Sequence, residues 1–165
     1  MKRGVFWGAL GLALALFGGA GAQEKIAKGW HIEEFDSGIT EIYLVWYDPA
    51  ETVPRLQLSC TEGWPEVSIV AFIDAPAADP KELALVDGDV RYAMEPISGT
   101  VNDVYSTGGS ATFTPELIEL LSGQFTVQVD GVDIGRYSTK GAADKFGRLF
   151  EACPVDGEGV DTEAS

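Results

Sequence analysis

The chain has 165 residues, with 11 Lys and Arg against 26 Asp and Glu and a formal net charge of −15. Nucleic acids and anionic membranes both reward cationic patches, so this balance excludes them as partners; the acidic surface either serves solubility alone or attracts a cationic protein. Two cysteines and one histidine do not make a zinc set, and no metal or cofactor is expected.

Met1-Lys2-Arg3 is a short basic start, and Val5 to Phe17 is almost wholly Ala, Leu, Gly and aromatic. Ala20-Gly21-Ala22 then forms a small-x-small site before Gln23-Glu24-Lys25. That order predicts a secretory signal peptide over 1–22, cleaved before Gln23. The apolar run falls short of the roughly 20 residues that span a bilayer, so no stable membrane insertion is expected after cleavage. The expected location is the periplasm or the medium. Cleavage leaves 143 residues, and losing Lys2 and Arg3 takes the basic count from 11 to 9 against 26 acids, a net charge of −17. This length suits one domain over 23–154.

The domain reads as strands. Trp30 to Phe35 and Ile39 to Tyr47 are the first two. Arg55 to Cys60 alternates, with Leu56, Leu58 and Cys60 on one face and Arg55, Gln57 and Ser59 on the other. Glu66 to Asp74 sets Val67, Ile69, Ala71 and Ile73 on one face and Val70 and Phe72 on the other, a pattern that suits cover on both sides. Ala75 to Pro80 is a loop. Val90 to Met94 and Val101 to Ser106 are further strands, the second marked less clearly, and Gly108-Gly109-Ser110 reads as a loop. Thr114 caps a short helix with Pro115 at its first position, Leu117, Leu120 and Leu121 inward, and Gly123 as its stop. Gln124 to Val129 and 134–138 form a hairpin through Asp130-Gly131-Val132-Asp133. Ala142, Phe146, Leu149, Phe150 and Cys153 make one stripe of a final amphipathic helix that Pro154 ends. Residues 155–165 form an acidic tail without apolar period, expected to be disordered. The fold class is therefore mainly β: an antiparallel β-sandwich or bent sheet, one short mid-chain helix, and a terminal helix stapled to the sheet.

The staple is Cys60–Cys153. Two cysteines in an exported chain point to one disulfide, and both fall on inward phases. The bond closes a loop of 94 residues counting both ends, worth roughly 4–5 kcal/mol by loop entropy.

Catalytic signals are missing. There is no nucleophile elbow, phosphate loop or dinucleotide fingerprint. His31 stands alone, and close carboxylate pairs arise by chance among 26 acids. Asp87-Gly88-Asp89, the 130–133 turn and the tail lack the ligand ladder of a calcium loop. Aromatic residues at turns carry more information. Glu62-Gly63-Trp64-Pro65-Glu66 places an indole between two acids in a turn, where it can anchor a protein partner while Glu62 and Glu66 select a basic rim. The competing role for Trp64, and for Trp46 in Trp46-Tyr47-Asp48-Pro49, is a cap over the end of the core.

Several segments in order resemble exported bacterial proteins: "LQLSC" and the strand after it, "VRY", "VYSTGGSATF", a short helix, "GQFTVQV" and the closing "KGAADKFGRLFEAC". Over roughly residues 56–153 the pattern looks like the VasI-like accessory proteins associated with type VI secretion, and it is also similar to the invasion-associated locus B family. Gly141, Ala143 and Cys153 fit the closing motif. Tyr137 stands where such proteins often have phenylalanine, and Tyr105 where a tryptophan is expected. The resemblance implies a non-enzymatic accessory protein and no catalytic residue. The expected function is thus a periplasmic or secreted protein acting through protein–protein contacts. The alternatives are an acidic inhibitor of a cationic secreted enzyme such as a lysozyme, and a carboxylate-dependent hydrolase.

Overall fold

A computed structural model describes residues 27–155 except 52 and 102. The expected signal peptide and nearly all of the expected tail lie outside the described residues. The elements in chain order are β1 (Gly29–Asp36), β2 (Thr40–Tyr47), β3 (Leu56–Thr61), β4 (Glu66–Phe72), β5 (Leu83–Asp87), β6 (Val90–Met94), β7 (Ile97–Val101), β8 (Val104–Thr112), α1 (Pro115–Leu121), β9 (Gln124–Val129), β10 (Val132–Ser138) and α2 (Ala143–Ala152). A six-stranded sheet runs β1-β2-β3-β4-β8-β7, and a four-stranded sheet runs β10-β9-β5-β6. Every strand pair is antiparallel. Among the described residues no helix is long and apolar enough to cross a membrane.

Alternation builds the core. The inner face of the larger sheet carries Ile42, Leu44, Leu56, Leu58, Val67 and Ile69, all fully buried. Leu83, Leu85, Phe125 and Val127 answer from the smaller sheet. One aromatic hub joins the layers. Trp30 packs edge-on against Trp46 and Phe146, and its Nε1–H donates to the carbonyl of Ser138 at 3.0 Å. The indole of β1 is thereby tied to β10 of the other sheet, its polar edge satisfied. Trp46 is half-buried at the margin of this hub and also meets Tyr137 edge-on, so it caps the core.

Both helices form as their sequences dictate. Thr114 caps α1 by accepting a hydrogen bond from the Leu117 N–H. Leu117, Leu120 and Leu121 are buried. α2 lies against β1, β2 and β3 and buries Phe146, Leu149 and Ala152. Cys153 caps its end and bonds Cys60 across a Cα separation of 6.3 Å. The β-sandwich with a stapled terminal helix is thus the observed architecture.

Five features differ from the sequence expectation. Gly108-Gly109-Ser110 is not a loop but the middle of β8. The glycines are there because other elements approach closely: a Cβ at Gly109 would lie 2.8 Å from the Met94 Cβ, and one at Gly108 2.9 Å from a Val70 methyl. The 101–106 strand is instead a hairpin, with β7 and β8 joined through 102–103 and Asp103 at φ 64°. Residues 83–87, read as no element, form β5, a central strand of the smaller sheet. Its Leu83, Ala84 and Leu85 are all buried, so it shows no alternation. Val70 and Phe72 are only half-buried, and among the described residues no layer covers their face of β4. The 129–132 turn is also tighter than expected. Asp130 (φ 49°) and Gly131 (φ 79°) alone connect β9 to β10.

Candidate binding face on the six-stranded sheet

Among the described residues no layer covers the outer face of the larger sheet. Cross-strand register sets Glu33 beside Tyr43, Tyr43 beside Ser59, Ser59 beside Ser68, and Ser68 beside Ser110. One file of side chains therefore crosses five strands, with an acid and a phenol leading into three small hydroxyls. Small side chains on a twisted sheet leave a depression. A hollow of about 270 Å³ is lined by Glu41, Tyr43, Ser59, Trp64, Glu66 and Ser110, among others. A second, of about 240 Å³, continues it past Val70 and Gly108 to Ile97. The two share Ser68 and Ser110. Among the described residues no Lys or Arg lines either hollow, whereas Glu41 and Glu66 line the first.

Trp64 stands over this groove with 61% of its surface exposed. It is therefore not a cap on the core. The turn that carries it is closed by one internal hydrogen bond and tied by three more to other parts of the fold. The Glu62 N–H donates to Thr40 O (2.9 Å), the Gly63 N–H to Ala152 O (2.7 Å), the Trp64 N–H to Thr61 O (3.0 Å), and the Phe113 N–H to Pro65 O (2.7 Å). Gly63 sits at φ 84°, a conformation that an L side chain adopts only with strain. The disulfide leaves from Cys60, just before the turn, and lands on Cys153, next to Ala152. Bridge and Gly63–Ala152 bond together hold the end of α2 against the turn. The indole is exposed, but its backbone is fixed.

The two acids flanking Trp64 have different surroundings. Glu66 lines the groove. Glu62 accepts a hydrogen bond at 3.3 Å from Arg148, which also holds Glu34 through two bonds of 3.1 and 2.9 Å. The Glu34 carboxylate, chiefly, raises the pKa of the Arg148 guanidinium. Glu62 thus belongs to a link between β1, α2 and the turn. Glu41 takes the acidic place on the groove instead, and accepts a hydrogen bond from the Tyr43 hydroxyl at 3.2 Å. Partial burial, and then Glu41, raise the Tyr43 pKa. Glu41, Tyr43, Ser59, Ser68 and Ser110 were missed in the linear sequence because register alone brings them together.

Other charged clusters are internally paired. Lys28 meets Asp48 at 2.7 Å, and Arg55 binds Glu51. His31 donates from Nε2 to Ala27 O at 2.7 Å and packs edge-on against Tyr47, a local structural role. Among the described residues no group of three or more His, Cys, Asp or Glu is placed to hold a metal ion. No family model matches the chain, and no curated protein and no solved structure matches it either.

Proposed function

We propose that this is a non-enzymatic accessory protein of the periplasm or the medium that binds a basic protein partner through the outer face of its six-stranded sheet. The observation that carries the proposal is a 61% exposed indole on a fastened turn, above a groove lined by Glu41 and Glu66 and, among the described residues, by no cation. A large rigid side chain whose backbone is already ordered loses little entropy on binding, which is what a hot spot needs. The carboxylates favour a cationic approach and discriminate against acidic competitors. The buried Cys60–Cys153 bridge supports an oxidising compartment. A role beside a secretion apparatus is the form of this function that the resemblance in residues 56–153 suggests.

The test is a comparative capture from a periplasmic extract with the wild-type protein, Trp64→Ala and Glu41→Gln/Glu66→Gln, followed by titration of the purified partner. The proposal expects a basic partner held by wild type. Trp64→Ala should cost about 2 kcal/mol or more of affinity, and wild-type affinity should fall with salt. A partner bound equally by all three proteins would overturn it. The alternative reading is an inhibitor of a cationic secreted enzyme such as a lysozyme, and inhibition of cell-wall lysis by the purified protein would identify that case.

A further inference from the structure

The two sheets have four edges, and three of them are blunted in recognised ways. β1 carries Glu33, Glu34 and Asp36, and Arg148 of α2 reaches over to Glu34. β10 has a register shift between Asp133 and Gly135 and carries Arg136. β6 carries Arg91, engaged with Glu82 and Gln128. Charges and bulges of this kind discourage another strand from pairing. β7, Ile-Ser-Gly-Thr-Val, has none of them: no charge, no proline, no bulge, and Ile97 is 85% exposed.

The backbone of β7 shows what is on offer. The hairpin closes on the Val101–Val104 pair through two residues, a connection whose flanking pair exchanges both hydrogen bonds. Pairs then alternate, so Ile97, Gly99 and Val101 bond β8 while Ser98 and Thr100 turn their N–H and C=O groups outward. Exposed acids stand beyond each end, Glu95 and Asp103. Asp103 is the one charged residue in the whole of 97–112.

We infer that β7 accepts an extended, cationic segment of a partner polypeptide as a seventh strand, through Ser98 and Thr100, with basic residues against Glu95 and Asp103 and an apolar one beside Ile97. Charge selects the occupant. A second copy would bring the same acids to the same edge in a chain already at −15, whereas a segment with Lys or Arg at its ends finds an acid at each. The inference concerns an edge and is independent of Trp64.

The probe is the amidated peptide Lys-Thr-Val-Thr-Val-Thr-Lys, with Glu in place of Lys as one control and alternate N-methylated amides as another. In the free protein the Ser98 and Thr100 amides exchange faster with solvent deuterium than that of Gly99. The basic peptide should slow both at up to about millimolar concentration, and neither control should. Thr100→Pro removes an outward N–H without touching the β8 ladder and should weaken binding about tenfold. Glu95→Gln/Asp103→Asn should weaken it severalfold and abolish its salt dependence, which decides the matter even if the proline variant does not fold. Trp64→Ala should leave this binding unaltered. Absence of protection at β7, equal binding of the Glu peptide, or loss in Trp64→Ala would each overturn the inference. So would a concentration-dependent dimer that Thr100→Pro dissolves, because the edge would then belong to a second copy.

Discussion

The two faces of the six-stranded sheet are made by the same strands and differ in one residue step. On β3, Leu56, Leu58 and Cys60 turn inward and are buried, while Gln57, Ser59 and Thr61 turn outward and stay half-exposed. The inner face is large, apolar and interlocked with the second sheet. The outer face is small, hydroxylated and acidic, and no layer of the described chain covers its groove. A half-buried sheet needs only one apolar face for stability, so the residues on the other are free to serve recognition. Neighbours in sequence should therefore respond to substitution in opposite ways.

The largest effect belongs to the bridge. Cys60→Ala/Cys153→Ala removes a link across 93 residues and should cost about 4–5 kcal/mol in urea denaturation by loop entropy. It should also weaken partner binding, because the same link fastens the Trp64 turn to α2. Next come the adjacent residues of β3. Leu58→Ala should cost about 2–5 kcal/mol, and Ser59→Ala should stay within about 0.5 kcal/mol. Equal losses at the two positions would break the distinction between the faces.

Two tyrosines sharpen it. Burial pushes the Tyr137 phenol up to about 12, whereas Tyr43 on the outer face is raised by partial burial and by Glu41. The folded state of a group with a raised pKa holds its proton where the unfolded state has released it. Stability from Tyr137 is therefore fully present below pH 10 and is lost as the pH rises from about 10 toward 12, by about 2 kcal/mol. Tyr137→Phe should remove that alkaline loss in denaturation measured across the range, and Tyr43→Phe should leave most of it. The glycines provide a similar contrast. Gly109→Ala drives a methyl toward the Met94 Cβ and should cost about 1–3 kcal/mol. Gly99 on β7 has nothing within 4 Å of an added Cβ, so Gly99→Ala should be neutral or mildly stabilising in the same assay. The expected stability change of Trp64→Ala is as small as that of Ser59→Ala, within about 0.5 kcal/mol by thermal melt.

Legibility in the sequence followed the same division. β3, β9 and α2 were readable because each buries one face, so their period survives in the residue order. β5 was not, since Leu83, Ala84 and Leu85 are all buried and a continuous apolar run carries no period. β8 was misread because Gly108 and Gly109 answer to Val70 and Met94, contacts that only the tertiary structure creates. Of the candidate site, Trp64 was visible as an indole in a turn, and its exposure follows from that turn. Glu41 and Tyr43 share a face of β2 by alternation, but Ser59, Ser68 and Ser110 come from three other strands, and nothing local marks them as their neighbours. Glu62, alike in sequence to Glu66, is distinguished from it only by Arg148, which arrives from the far end of the chain.

The most direct test of the account is hydrogen exchange across the whole chain in complex with the captured partner. The account predicts new protection on the outer face of the larger sheet, over the 61–66 turn and the adjoining stretches of β2, β3, β4 and β8, together with quenching of Trp64 fluorescence. Protection confined to α2 or to the four-stranded sheet, with the 61–66 turn exchanging as it does in the free protein, would contradict it.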